Sequence, residues 1–113
     1  MELDIKESNA VCTLKLKGRL VGGEPVNQFE SAFQQAIAGG HIFLVIDLES
    51  VPYIDSSGIG SLVNALRQAN KVGGTVKLVN PASFVAKTLK MVGILSLFEV
   101  YGSEALAVAS LSV

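Results

Sequence analysis

VPYIDSSGIG, residues 51–60, is the most informative segment of the chain for both the fold and the candidate site. It follows Ile42-Phe43-Leu44-Val45-Ile46, an apolar run typical of a parallel strand that is covered on both faces. Because Pro52 cannot donate to a central ladder, the strand should end by that residue. Apolar side chains then recur at the spacing of one buried helix face, at Ile59, Leu62, Val63 and Leu66. The stretch therefore predicts a strand, a short loop and a helix that begins near Gly58.

An aspartate and two serines precede that helix. A helix leaves its first N–H groups without partners, and side-chain oxygens of Asp and Ser commonly accept hydrogen bonds from them. We expect Ser57, immediately before Gly58, to be the N-cap and Ser56 to lie one residue outside the helix. Capping is the simplest interpretation of these polar side chains. A phosphate-binding loop stays open as a second interpretation, since the helix start is glycine-rich.

Catalytic interpretations of this stretch have weaker support. Gly58-Ile59-Gly60 lacks the lysine and the spacing of a Walker loop. Serine-nucleophile hydrolysis would need the lone His41 as base and a G-x-S-x-G elbow, which the serines do not form. Asp47 and Asp55 could in principle act as an acid–base pair. However, Asp47 ends a buried strand, where a carboxylate more commonly accepts hydrogen bonds from loop N–H groups.

Composition limits the function classes further. The 113 residues should form one domain, and half of them are apolar, which indicates a folded chain. A net charge of −1 argues against nucleic-acid binding, which needs a concentrated basic face. Cys12 is the only cysteine and alternates with leucines, so we expect a buried thiol and no disulfide within the chain. His41 has no Cys or His companions at metal-ligand spacing, so no metal site is expected.

The sequence shows no targeting or membrane segment. Its first residues lack a positively charged region followed by an apolar run, so no signal peptide is visible. No apolar run approaches the roughly 18 residues of a membrane span. We therefore expect a cytoplasmic protein.

Outside the central stretch, strand and helix patterns alternate along the chain. An antiparallel hairpin is predicted first, from apolar–polar alternation on both sides of a turn at residues 8–10. The later elements are a helix from Pro25 to Gly39, a strand at 75–80, a helix from Pro81 to Gly93, a short strand at 98–101 and a helix capped by Ser103. This order predicts an α/β fold, in which the hairpin leads into a mainly parallel sheet with about four crossover helices.

Motifs that resemble one family occur along nearly the whole chain. They are Val45-Ile46-Asp47-Leu48, Tyr53-Ile54-Asp55-Ser56-Ser57-Gly58-Ile59-Gly60, Gly18-Arg19-Leu20, Gly73-Gly74 and the ending Gly93-Ile94…Phe98…Glu104-Ala105-Leu106. With them the chain resembles a STAS domain, the module shared by bacterial anti-sigma factor antagonists and the cytoplasmic tails of sulphate transporters. The Asp-Ser-Ser-Gly motif and the strand before it carry the most specific part of the resemblance.

The resemblance implies a phosphoswitch. A partner anti-sigma factor that is also a serine kinase would phosphorylate the serine directly after the Asp of Asp-Ser-Ser-Gly, which is Ser56 here. Family members of this type often carry Asp after the Gly-x-Leu of the second strand, where this chain has Val21, and Glu24 is the candidate substitute. The residues implied to bind the partner are Asp55, Ser57, Gly58, Ile59, Gly60 and Glu24.

The resulting expectation is a non-enzymatic STAS domain over residues 1–113 that needs no cofactor. Its unphosphorylated form would bind the anti-sigma factor and free the sigma factor, and phosphorylation of Ser56 would release it. The alternative is a STAS subunit that docks on a transporter or signalling assembly without phosphorylation. A rival from another class is a small nucleotide-binding or hydrolytic enzyme. No nucleic acid and no membrane insertion are expected, and a weak homodimer stays open.

Two further expectations concern the surface of the site. Ile54 and Ile59 should stay partly exposed for docking, which suits the apolar composition of the chain. Gly60 should tolerate a large side chain poorly, because another backbone or the partner packs against the first helical turn.

Overall fold

The structure is a computed structural model that describes residues 1–111. Its five strands form one sheet in the order β1-β2-β3-β4-β5, in which β1 and β2 are antiparallel and the other pairs are parallel. The strands are β1 (Glu2–Ser8), β2 (Val11–Lys17), β3 (Phe43–Ser50), β4 (Thr75–Val79) and β5 (Glu99–Tyr101). The helices are α1 (Glu24–Ala38), α2 (Ser56–Lys71), α3 (Ser83–Met91) and α4 (Glu104–Ala109), with one 3-10 turn at Leu95–Leu97.

This architecture confirms the predicted α/β fold and its opening hairpin. In the described part of the chain, α1, α2 and α3 connect successive parallel strands, whereas α4 follows the last strand. Ser103 caps α4 as predicted, since its hydroxyl accepts a hydrogen bond from Leu106 N at 3.1 Å. The predicted helix beginning near Gly58 starts earlier, at Ser56.

Two hydrophobic cores lie on opposite faces of the sheet. The larger core joins the inward faces of α1, α2 and α3 to the strands, and Phe29 and Phe33 of α1 are its largest fully buried side chains. The smaller core joins Ala107 of α4 to one valine from each of three strands, Val11, Val45 and Val79. Because β3 contributes to both cores, its apolar run is continuous rather than alternating.

The inward face of α2 consists mainly of small residues. The buried residues of this helix are Gly58, Ser61, Leu62, Ala65 and Ala69. The predicted stripe contributes Leu62 to this face, while Ile59, Val63 and Leu66 are only half-buried beside it. Small side chains let the helix axis approach the sheet closely. At the start of α2, Gly58 lies directly against Leu20 in the loop after β2.

Candidate functional site

Two loops lie side by side at the carboxyl edge of the sheet. Since β2 and β3 are parallel neighbours, the loops that leave them emerge together. Backbone pairing continues past the strands, because Leu20 N donates to Tyr53 O at 3.0 Å and Leu20 pairs with Ile54 in a parallel bridge. This pairing places Ile54 in the core, where its side chain is 2% exposed. The prediction that Ile54 stays partly exposed for docking is therefore wrong, whereas Ile59 is half-buried as expected.

The Asp55 carboxylate links these two loops. Its Oδ1 accepts a hydrogen bond from Gly58 N at 2.9 Å, and its Oδ2 accepts one from Gly22 N at 3.0 Å. The two amides, Gly22 first and Gly58 second, hold the pKa of Asp55 below its ordinary value. Asp55 is thus both the N-cap of α2 and a connection to the loop after β2. The prediction of Ser57 as the N-cap is wrong, because the helix begins one residue before Ser57.

The two serines occupy the first two positions of α2, and both are exposed. Ser56 therefore lies inside the helix, and the prediction that it lies one residue outside is wrong. Among residues 1–111 no side-chain hydrogen bond engages either hydroxyl. Ser57 faces the loop after β2, since a Cβ added to Gly22 would lie 3.0 Å from Ser57 Oγ. The Ser56 hydroxyl is consequently accessible and free of any structural role.

Two glycines of the first helical turns differ sharply in their surroundings. A Cβ on Gly58 would lie 2.2 Å from Leu20 O and 2.6 Å from Ile54 Cγ1, so this position admits no side chain without a backbone shift. A Cβ on Gly60 would meet nothing within 4 Å, and the residue is exposed. No backbone packs against Gly60, which removes one of the two reasons predicted for its small size. The glycine required by packing is Gly58.

Val21 lies in the loop after β2, and Glu24 is the first residue of α1. Val21 is half-buried, and its carbonyl accepts from Val26 N at 3.1 Å. Glu24 opens α1, where its carboxylate accepts from Gln28 Nε2 at 3.3 Å. In the described part of the chain, no hydrogen bond joins Glu24 to residues 55–60. The role of Glu24 in partner binding stays a prediction.

An exposed aromatic stack joins the loop before α2 to the start of α3. The rings of Tyr53 and Phe84 stack with centroids 5.2 Å apart and an interplanar angle of 20°. The guanidinium carbon of Arg19 lies 4.8 Å from the centroid of the Tyr53 ring. The sequence pattern did not reveal this cluster, because its members come from three separate elements. The exposure of Phe84, which singles it out on α3, is known only from the structure.

Cys12, Asp47 and His41 are each held by contacts of the fold. Cys12 is fully buried as predicted, and burial raises the pKa of its thiol to about 11, with a further contribution from Glu7. Asp47 accepts from Glu49 N at 3.0 Å, and because β3 extends to Ser50 this amide belongs to the strand, so the predicted hydrogen bonds to loop N–H groups are not observed within residues 1–111. His41 ties the start of β3 to the hairpin turn, with Nδ1 2.6 Å from Asn9 O. No cluster of potential metal ligands is found within residues 1–111.

None of the helices within residues 1–111 is both long and apolar enough to cross a bilayer.

The arrangement defines a class of protein. An opening hairpin, three crossover helices on one face and a serine-bearing helix start at the carboxyl edge describe an α/β domain with an exposed hydroxyl site. The model of the STAS domain family matches residues 2–107, and this chain belongs to that family.

Individual relatives are similar in sequence or fold. An anti-sigma F factor antagonist of Lysinibacillus sphaericus is 30% identical over 70 residues, which are 61% of this chain and 60% of that protein. The anti-sigma factor antagonist SpoIIAA in its unphosphorylated form shares the fold, with a TM-score of 0.85 at 22% identity over 98% of this chain and 96% of that one. A putative anti-sigma factor antagonist from Thermotoga maritima gives a TM-score of 0.87 at 23% identity, over 96% and 92% of the two chains.

Proposed function

We propose that this protein is an anti-sigma factor antagonist that acts as a phosphoswitch in the cytoplasm. Its unphosphorylated form binds an anti-sigma factor that is also a serine kinase, and thereby frees the sigma factor. Phosphorylation of Ser56 by that kinase releases the complex. The relative from Lysinibacillus sphaericus, whose name gives the same activity, supports the assignment. The role is one of binding, without a reaction catalysed by this chain.

One observation carries the proposal: the Ser56 hydroxyl is exposed at the first position of α2 while Asp55 performs the capping. Phosphorylation of Ser56 therefore breaks no hydrogen bond of the fold. A kinase can reach this hydroxyl on a surface that is held in place by Asp55 and by the Leu20–Ile54 bridge. Ser57 is a poorer acceptor of phosphate, since it faces the backbone of Gly22.

Electrostatics explains why phosphorylation should release the partner rather than unfold the chain. A phosphoserine adds about −1.5 to −2 charges at neutral pH. At a helix N-terminus this charge is favoured by roughly 0.3–1 kcal/mol. Against a desolvated or acidic partner surface the same charge costs several kcal/mol, on the order of 2–5. The unfavourable effect at the interface therefore exceeds the favourable local effect.

The residues proposed to contact the partner lie around this serine. Asp55 and Gly58 hold the backbone in position, and Ser57, Ile59 and Gly60 present the surface of the first two turns. The open space around Gly60 supports a partner rather than the fold as the reason for its small size. Glu24 completes the set at the start of α1.

The departure at Val21 affects phosphorylation more than binding. A half-buried valine offers no carboxylate to orient a kinase's nucleotide, and the exposed Glu24, three residues further on, is the acid that we propose in its place. We therefore expect partner binding to survive Glu24→Gln, whereas the rate of phosphate transfer falls. Equal rates for the two proteins would remove Glu24 from the proposed site.

The experiment that tests the proposal uses purified anti-sigma factor kinases of the same organism with ATP, followed by intact mass and peptide mapping. We expect one phosphate on the wild-type chain and on Ser57→Ala, and none on Ser56→Ala. Phosphate on Ser57, or phosphate that persists in Ser56→Ala, would show that the site is wrong. Binding without any phosphate would favour the alternative, a STAS subunit that docks constitutively on a larger assembly.

A further inference from the structure

The stack of Tyr53 on Phe84 has the composition and exposure of residues that anchor protein interfaces. Tyr53 is 37% exposed and Phe84 is 48% exposed, although both are large and apolar. Tyr and Arg dominate the residues that contribute most to binding energy in protein complexes. Because the Tyr53 ring is stacked on one neighbour and covered by the Arg19 guanidinium, the group has little conformational freedom to lose on binding.

Two cations near the stack have no ion-pair partner within residues 1–111. Arg19 is exposed and forms no salt bridge within residues 1–111. Lys87 follows Phe84 at the i+3 position of α3, on the same side of the helix, and it too lacks an acidic partner among the described residues. The nearby Asp55 keeps its negative charge, but its two oxygens accept the amides of Gly22 and Gly58, and it forms no ion pair with either cation among the described residues.

We propose that Arg19, Tyr53 and Phe84 form a docking surface for an acidic segment of the protein partner. A carboxylate of that segment pairs with the guanidinium of Arg19, and an apolar side chain next to it packs against the exposed ring of Phe84. Charge complementarity selects this occupant, because an aromatic surface flanked by two unpaired cations favours an anion beside an apolar group. The identity of the partner as an anti-sigma factor rests on the proposed function.

This surface connects docking to phosphorylation. Tyr53 belongs to the loop that continues directly into Asp55 and Ser56, so a segment bound to Arg19 and Tyr53 lies next to the phosphorylated serine. An acidic segment in that place is attracted by Arg19 and repelled by a phosphate on Ser56. The same chemistry that selects the partner therefore makes its binding sensitive to phosphorylation.

The test compares two charge reversals in the full chain. Arg19→Glu changes the proposed anchor, and Lys71→Glu makes the same change in charge at the exposed far end of α2. Affinity of the purified anti-sigma factor is measured by calorimetry at low and at high salt. We expect Arg19→Glu to weaken binding by roughly tenfold or more at low salt, and less at high salt, because salt screens the interaction. Lys71→Glu should change the affinity by less than about twofold.

Two further variants separate the contributions of charge and apolar contact. Arg19→Gln removes the charge without reversing it, and Phe84→Ala removes the exposed ring. Thermal unfolding of each variant shows whether it is folded, and we expect all of them to be, since both side chains are exposed. Arg19→Gln should weaken binding less than Arg19→Glu, and Phe84→Ala should weaken it at both salt concentrations.

Three outcomes bear on the proposal differently. Equal affinity and equal salt dependence of Arg19→Glu and Lys71→Glu would overturn the docking surface while leaving the proposed function intact. Absence of wild-type binding to every anti-sigma factor tested would overturn the proposed function itself. If Arg19→Glu binds the anti-sigma factor normally but no longer sediments with phosphatidylserine vesicles that carry the wild-type chain, the surface binds lipid and the proposal is wrong.

Discussion

The backbone amide of Gly22 donates a hydrogen bond to Asp55 Oδ2 over 3.0 Å, and so the loop after β2 is attached to the residue that precedes the candidate phosphorylation site. The other oxygen of Asp55 caps α2 through Gly58. One carboxylate thus fixes the relative position of both loops that surround Ser56. Its loss should affect the site and the fold together, although no core side chain is changed.

Asp55→Asn should lower stability in a pH-dependent way. Two amides hold the pKa of Asp55 below its ordinary value of 3.8. A carboxylate with a lower pKa in the folded state stabilises the fold above the unfolded-state pKa, and this contribution is lost as the pH falls through the folded-state pKa. The difference in melting temperature between wild type and Asp55→Asn should therefore be constant above about pH 5 and shrink below about pH 4.

Asp4→Asn serves as the control for this titration, because Asp4 contacts Lys17 on the surface and accepts no backbone amide among the described residues. A difference between wild type and Asp55→Asn that stays unchanged down to pH 3 would show that the charge of Asp55 does not stabilise the fold.

Ser56→Ala and Ser57→Ala should both be nearly neutral in stability. Neither hydroxyl caps α2, and both side chains are exposed, so each substitution should change the free energy of unfolding by less than about 0.5 kcal/mol. Chemical denaturation measures the difference. A loss of roughly 1 kcal/mol or more in Ser57→Ala would restore that serine as the cap.

Much of the fold could be predicted because its signals are local. In the predicted helix after Pro25, apolar residues recur at helical spacing, and the structure buries three of them, Val26, Phe29 and Phe33. The structure likewise buries most of the unbroken apolar run of β3. The choice of Asp55 rather than Ser57 as the N-cap of α2 does not depend on a local signal alone. Asp and Ser are similarly favoured N-caps, and the hydrogen bond from Gly22 that orients Asp55 joins residues far apart in sequence.

The surface of the site was less accessible to sequence reasoning for the same reason. Ile54 is buried because a backbone bridge to Leu20 turns it toward the core. The stack of Tyr53 on Phe84 forms only when the loop after β3 meets the start of α3. Such contacts depend on how crossovers pack, and no periodicity within a single segment encodes them.

Gly58→Ala and Gly60→Ala should have opposite effects. The new methyl group at residue 58 meets the carbonyl oxygen of Leu20, so we expect a loss of stability on the order of 1–3 kcal/mol. At residue 60 the methyl group meets nothing, and the higher helix propensity of Ala should raise stability by up to about 1 kcal/mol. Thermal unfolding of the pair checks both. Equal midpoints would contradict the close approach of α2 to the sheet.

Cys12 should be unreactive toward a thiol reagent in the native protein. Burial raises the pKa of its thiol to about 11, and the thiolate is the nucleophilic form. Ellman's reagent at pH 8 should therefore label the native chain slowly and the denatured chain rapidly. Fast labelling of the native protein would mean that β2 opens readily or that Cys12 is accessible.

Calorimetry with the anti-sigma factor measures directly whether phosphate on Ser56 releases the partner. The titrated proteins are the unphosphorylated chain, the phosphorylated chain and Ser56→Asp, with thermal unfolding to verify that all three remain folded. We predict that phosphorylation and Ser56→Asp each weaken binding by at least tenfold, which corresponds to about 1.4 kcal/mol, while the melting temperature does not fall, because a negative charge at the start of α2 is favourable. Equal affinities for the phosphorylated and unphosphorylated chains would show that phosphate on Ser56 does not release the partner.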